Sequence, residues 1–184
     1  MITIMLRELV SLPHVEREFR KDQNLFCQGD PVTSIFLIRT GEARLIRRRT
    51  DGGIVVLQRA PAGAVLAEAS LFAEIYHCDG LAVTDVSALA ISRAAIRNRF
   101  ETGSAFASLW AVHLGNEIRA TRLRSEILAM KTVAERLDAW VAQRDGAPER
   151  GMWNLVAEEI GVSPEALYRE LARRRARAGN RLFR

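Results

Sequence analysis

Two textures of hydrophobic patterning divide the chain near Ser92. Before it, apolar runs of strand length, among them Ile35–Ile38 and Leu45–Ile46, alternate with glycine-bearing breaks at Gly29-Asp30-Pro31, Gly41, Asp51-Gly52-Gly53, Gly63 and Gly80. That rhythm predicts short strands in a β-sandwich or barrel. Asp51-Gly52-Gly53 sits between Ala43–Arg49 and Ile54–Arg59, where a tight turn needs positive φ, and so predicts a hairpin. Ile54-Val55-Val56-Leu57 does not alternate, which predicts a strand covered in part on both faces.

After Ser92 the period lengthens. Ser92 is placed to cap a short helix from Arg93 to about Phe100, and Thr102-Gly103-Ser104 restarts a longer one. Along it Phe106, Leu109, His113, Asn116, Ala120, Leu123, Ile127 and Met130 recur at alternating spacings of three and four. A heptad seam of that length predicts a partner helix, with His113 and Asn116 as register-setting polar positions in a dimer. Another amphipathic run, Val133 to Val141, leads to a polar break over 143–151. Two short helices are predicted beyond it, near Asn154–Ile160 and Pro164–Ala176.

The last pair has the grammar of a helix-turn-helix. Ala157 lets two helices approach, and Gly161 stands where the turn leaves the first helix. Val162 and Leu167 close a small core, and Ser163-Pro164-Glu165 caps and opens the second helix. That helix would carry Ser163, Glu165, Tyr168, Arg169 and Arg173 toward DNA, with Arg169 suited to guanine O6/N7 and Glu165 to a cytosine amino group.

Charge sharpens this reading. The chain has 27 Lys+Arg against 22 Asp+Glu, a formal net charge of +5. Arginines gather from Arg169 to Arg184, a cluster suited to phosphate. Two cysteines are too few for a disulfide scaffold, and no apolar run is long enough to span a bilayer. A cytoplasmic protein without membrane contact is expected. No Gly-x-Ser-x-Gly, P-loop, His-Glu-x-x-His or dinucleotide glycine fingerprint is present, so an enzyme is not expected. Nor is there a four-cysteine set for an iron–sulfur cluster. His77 and Cys78 are weak metal candidates, because adjacent strand residues face opposite ways. Cys27 and Cys78 are candidates for a redox pair.

The order Gly29-Asp30, Gly41, Gly63, Glu68-Ala69-Ser70-Leu71-Phe72, long helix, helix-turn-helix resembles the Crp/Fnr transcription regulators. The resemblance implies an α+β chain. An effector-sensing, jelly-roll-like β-roll would occupy residues 1–100, a dimerisation helix 101–131, and a DNA-binding helix-turn-helix 132–184. It also implies double-stranded DNA as partner, a homodimer, and contact with RNA polymerase. Glu165 and Arg169 match the family's Glu-x-x-x-Arg base-reading pair, and the effector pocket would draw on Glu68, Ala69, Ser70, Cys78 and Thr121. Two departures stand out. In cyclic-nucleotide-binding members a glycine and an arginine pair occupy the positions of Ala67 and Cys78-Asp79, and no Lys or Arg falls between Arg59 and Arg93. A buried cyclic phosphate would need a cation from elsewhere, so cyclic AMP is not the expected effector, whose identity stays open. Gly179–Arg184 are too few for the family's β-wing, so little or no wing is expected. The competing expectation is an interaction module, sensing a ligand, metal or redox state, that has lost tight DNA binding with its wing.

Overall fold

The computed structural model describes residues 2–48, 50, 54–143, 148 and 153–177. The turn residues Asp51-Gly52-Gly53 and the terminal Gly179–Arg184 lie outside them, as does most of the polar break over 143–151. The chain divides into two compact units, up to Gly115 and from Asn116 onward.

The first unit opens with an element that the sequence reading did not anticipate, helix α1 (Ile2–Ser11). Met5 and Leu9, four apart, are fully buried in the roll's core, and Glu8 pairs with Arg99 at 2.9 Å. Eight antiparallel strands follow: β1 (His14–Phe19), β2 (Asn24–Phe26), β3 (Ser34–Thr40), β4 (Glu42–Arg48), β5 (Ile54–Pro61), β6 (Val65–Leu66), β7 (Asp79–Ala82) and β8 (Val86–Ser92). They form two four-stranded sheets, ordered β1-β8-β3-β6 and β2-β7-β4-β5. Inside, Phe26 stacks on Phe36 at 5.5 Å and on Tyr76 at 3.9 Å, while the Tyr76 hydroxyl donates to the Ser34 carbonyl at 2.6 Å. Gly41 closes the β3–β4 turn at φ +80, where a Cβ would fall 2.1 Å from the Asp85 carbonyl oxygen. No side chain fits there.

The β4–β5 hairpin pairs Arg48 with Ile54 as its composition predicted. The covering of β5 did not follow. Ile54 and Val55 are 51% and 42% exposed, because β5 is the free edge of its sheet; its broken alternation comes from an edge position, not from burial on both faces. Ser92 caps α2 (Arg93–Thr102), its hydroxyl accepting from the Ala95 amide.

Helix α3 (Ser104–Ala129) has 26 residues. Its seam is not uniform. Phe106 and Trp110 are buried in the roll unit around the Phe100 ring, with His113 beside Trp110, and Leu109 packs on the same core. Ile127 is buried in the second unit. The chain's own cores therefore consume the two ends of the predicted stripe, leaving Asn116, Ala120 and Leu123 exposed and Met130 half-buried.

The second unit adds α4 (Val133–Ala142), α5 (Trp153–Glu159) and α6 (Pro164–Arg177). Thr132 and Glu135 form a reciprocal capping box on α4. Leu137, Trp140, Val156, Ala157, Ile160, Leu167 and Leu171 make the core with Ile127, and the Trp140 indole donates to Glu159 at 2.6 Å.

Because α1 is anchored by two fully buried side chains, Leu9→Ala should lower stability by about 2–5 kcal/mol in urea melts. A loss under about 0.5 kcal/mol would mean that α1 is not part of the roll's core.

Candidate functional site

Two places carry the predicted site residues. In the roll, the segment after β6 turns sharply at Ala67, whose φ of 68 lies in the left-handed region, and winds into a one-turn 3₁₀ helix over Glu68–Ser70. A non-glycine residue there costs about 1–2 kcal/mol. Glu68 and Ser70 are buried, Ala69 exposed. The Gln58 amide donates to Glu68 at 3.4 Å, and the Ser70 hydroxyl lies 3.4 Å from His77 Nδ1. Arg93 reaches back from α2 to the Leu71 carbonyl at 2.9 Å and to Glu74 at 3.1 Å.

His77 is exposed and Cys78 buried, so the two face opposite ways and share no metal. Among the described residues no group of three or more His, Cys, Asp or Glu is placed to hold a metal ion. Burial, the dominant cause, pushes the Cys78 thiol up to about 11 from an ordinary 9.0. Cys27 is exposed, Cys78 is buried, and both are free thiols. The structure also supplies a cation that the sequence order hid. Arg47, on β4, donates to the His77 carbonyl at 3.1 Å, and its charge pulls the Cys78 thiol down against Asp79 and Glu68, which push it up. Thr121, assigned to the same pocket by resemblance, is an exposed α3 residue of the second unit.

The second place is the helical pair α5–α6. A four-residue turn, 160–163, joins them. Gly161 holds φ +65, and a Cβ there would meet Leu128 Cδ2 at 2.4 Å. The Val162 amide donates to the Ala157 carbonyl at 2.9 Å. Ser163 caps α6, accepting from the Ala166 amide at 3.2 Å. Arg136 locks the turn: its guanidinium donates to the carbonyls of Met130, Ile160 and Gly161 at 2.9, 3.1 and 3.0 Å.

On α6, Glu165, Tyr168, Arg169 and Arg173 are exposed, whereas Leu167 and Leu171 face inward. The Glu165 carboxyl is held below the usual range by its own backbone amide, then by Ser163, with Arg169 helping. Arg169 makes no hydrogen bond or ion pair with a described residue. Arg173 is committed to the buried Glu170 carboxylate. Arg174, next along, bonds Glu170, Asp138 and the Ala134 carbonyl. Arg169 and Arg173 also line a cavity of about 300 Å³ beside Thr132 at the start of α4.

Sequence reasoning missed Arg47, Gln58, Arg93 and Arg136. Only Arg136 left a local signal, one helical turn after the Thr132 cap; the others bond segments ten or more residues away.

Residues 16–102 match the cyclic nucleotide-binding domain family. No curated protein matches in sequence. Among solved structures, FixK2 from Bradyrhizobium japonicum is similar with a TM-score of 0.74 and 18% identity, over 91% of this chain and 87% of that one. CLP, a c-di-GMP responsive global regulator of Xanthomonas campestris, is similar with a TM-score of 0.65 and 18% identity, over 96% and 92%. TTHB099, a CRP-family transcriptional regulator from Thermus thermophilus, gives 0.62 and 16%, over 89% and 85%.

The thiols give a direct test of the cassette's packing. At pH 8 a thiol reagent should modify Cys27 rapidly and Cys78 only after denaturation, since a thiol near 11 is almost wholly protonated there. The folded state holds the Cys78 proton more tightly than the unfolded chain. Its contribution to stability is thus complete below pH 9 and is lost as pH rises toward 11. Equal modification rates for both thiols in the native protein would contradict the burial.

With a roll, short 3₁₀ turn, long helix and C-terminal helical pair in this order, the chain has the fold of the Crp/Fnr-family transcriptional regulators, and its residues 16–102 match the cyclic nucleotide-binding domain family.

Proposed function

We propose that this chain is a homodimeric, sequence-specific DNA-binding transcription regulator whose roll responds to an effector other than cyclic AMP. One observation carries the DNA reading. Glu165 and Arg169 stand one helical turn apart on the exposed face of α6, and Arg169 alone of that helix's first three turns offers an uncommitted guanidinium among the described residues. The turn that presents them is held by Gly161 and Arg136, so the pair is positioned before DNA arrives. Arg173 would meet phosphate while still anchored on Glu170. Two such helices, one per protomer, would enter successive major grooves about one DNA turn apart.

The effector reading rests on charge. Cys78 is buried and neutral where a cyclic-nucleotide phosphate would call for a cation, Glu68 is already buried nearby, and Arg47 is exposed and bonded to a carbonyl. The candidate pocket within the roll is therefore Glu68, Ala69, Ser70 and Cys78. Asn116, Ala120 and Leu123 form the dimer stripe that neither core consumes.

Arg169→Ala should cost about 1–3 kcal/mol per half-site in gel-shift or anisotropy titrations and relax preference at one base position. Arg175→Ala should weaken all sequences alike and reduce the slope of log affinity against log salt. Equal, sequence-independent losses from both would reduce Arg169 to a phosphate contact, and no binding at low salt would remove the DNA reading.

Light scattering should give twice the 20.6 kDa chain mass at micromolar concentration. Leu123→Asp should return it to one chain mass by burying unpaired charges, whereas Arg122→Asp should not. A monomeric wild type would overturn the dimer.

A further inference from the structure

A groove lies between α1 and β3, apart from the Glu68–Ser70 turn and the α5–α6 pair. Its volume is about 510 Å³, within the roughly 300–1,000 Å³ range of small-molecule sites. Phe36 stacks inside the roll, so Leu37, next along β3, faces the other way and gives the groove an almost fully buried apolar floor, while Ile38, fully buried, lines it through its backbone. Leu6 and Val10 of α1, four apart on one helix face, line the other side, and Val10 is left 36% exposed. Gly63 completes the lining, and the position of a Cβ there is open for 4 Å, so the groove is not closed at that point.

Two further lining residues are Arg7 and Arg39. Both are exposed, and neither forms a hydrogen bond or ion pair with a described residue. Other arginines of the roll unit are committed: Arg44 and Arg59 hold Glu42, Arg93 holds Glu74, and Arg99 holds Glu8. Glu8, the acidic residue of α1, is thus already neutralised by Arg99. Leu6, Arg7 and Val10 all come from α1, which precedes residues 16–102 and so lies outside the matched domain. The groove is separate from the turn at Glu68–Ser70.

An apolar floor with two uncommitted guanidiniums selects a ligand that is apolar along its length and anionic at one end. A purely apolar compound would leave both charges unused. A small anion such as acetate would leave the floor wet. We propose that this groove binds a small amphiphilic carboxylate, of the medium-chain fatty-acid type. Its alkyl chain lies along Leu6, Val10 and Leu37, and its carboxylate accepts from Arg7 and Arg39, whose planar forks match a carboxylate's two oxygens.

The probe is decanoate below its micelle concentration, titrated into the full-length chain by calorimetry, with decanol and acetate as separate arms. One decanoate should bind per chain, at least tenfold more tightly than decanol or acetate. Arg7→Ala/Arg39→Ala, both at exposed positions, should weaken decanoate about tenfold and leave decanol unchanged. Methyl resonances of Leu6, Val10 and Leu37 should shift on binding. The proposal falls if decanoate does not saturate, if decanol binds equally well, if the double variant keeps full affinity, or if the methyl shifts map elsewhere. None of these outcomes depends on DNA binding, so the regulator reading stands or falls by itself.

Discussion

Strand β8 lies between β1 and β3, and its last residue, Ser92, is also the cap of α2. That continuous ladder is the constraint on which the roll depends. Ser92 pairs with Ser34 across the sheet, its amide donates to the Pro13 carbonyl, and the Arg93 amide donates to Thr33. The start of α2 is therefore set by main-chain hydrogen bonds rather than by helix propensity. From that start the Arg93 side chain spans to Leu71 and Glu74, tying the segment that contains Glu68–Ser70 to the helix leading into α3. A shift of that segment has to break the Arg93 bonds or carry α2 with it.

Arginine does most of the polar bracing, and it does so by reaching carbonyls and carboxylates in pairs or threes. Arg136 satisfies three carbonyls around the α5–α6 turn, and Arg174 joins α6 to α4 through Glu170, Asp138 and the Ala134 carbonyl. An ammonium cannot replace a planar fork in such positions. The arginine richness of the C-terminal region thus has two sources. Part of it builds the helical pair, and part, Arg169 and Arg175 among it, stays exposed on the surface.

That division explains what the sequence could and could not reveal. Gly161, Ser163 and Ser92 were legible because each solves a local problem, a left-handed turn or an orphan amide, with a residue type that few alternatives match. The hairpin at Arg48–Ile54 was legible for the same reason. Helix α1 was overlooked, although Met5 and Leu9 have helical spacing, because ten residues give one short stripe and nothing local says what covers it. The stripe on α3 was read as one seam. A repeat of apolar positions reports burial without reporting by what, and here Phe106 and Ile127 are buried by the chain itself. Arg47, Gln58 and Arg93 act across sheets or between distant segments, so no spacing rule exposes them.

At Ala67 the fold has separated shape from charge. The left-handed turn is held at a non-glycine residue from both sides: before it Leu66 and Val65 pair with Phe36 and Leu37, and after it the Ser70 and Leu71 amides close the 3₁₀ turn onto Ala67 and Glu68 at 2.9 and 3.2 Å, while Arg93 fixes the Leu71 carbonyl. Charge has not been kept in the same way. Cys78 contributes a neutral thiol, and the carboxylate of Glu68 remains buried with Gln58 beside it. An anion brought to this turn shares it with Glu68, while Arg47 lies at the exposed rim, where water screens its charge. The arrangement keeps the backbone frame of a phosphate-binding turn but favours a hydroxyl or amide donor to Glu68 over a second negative charge. Any ligand placed at this turn therefore has to be reconciled first with that carboxylate.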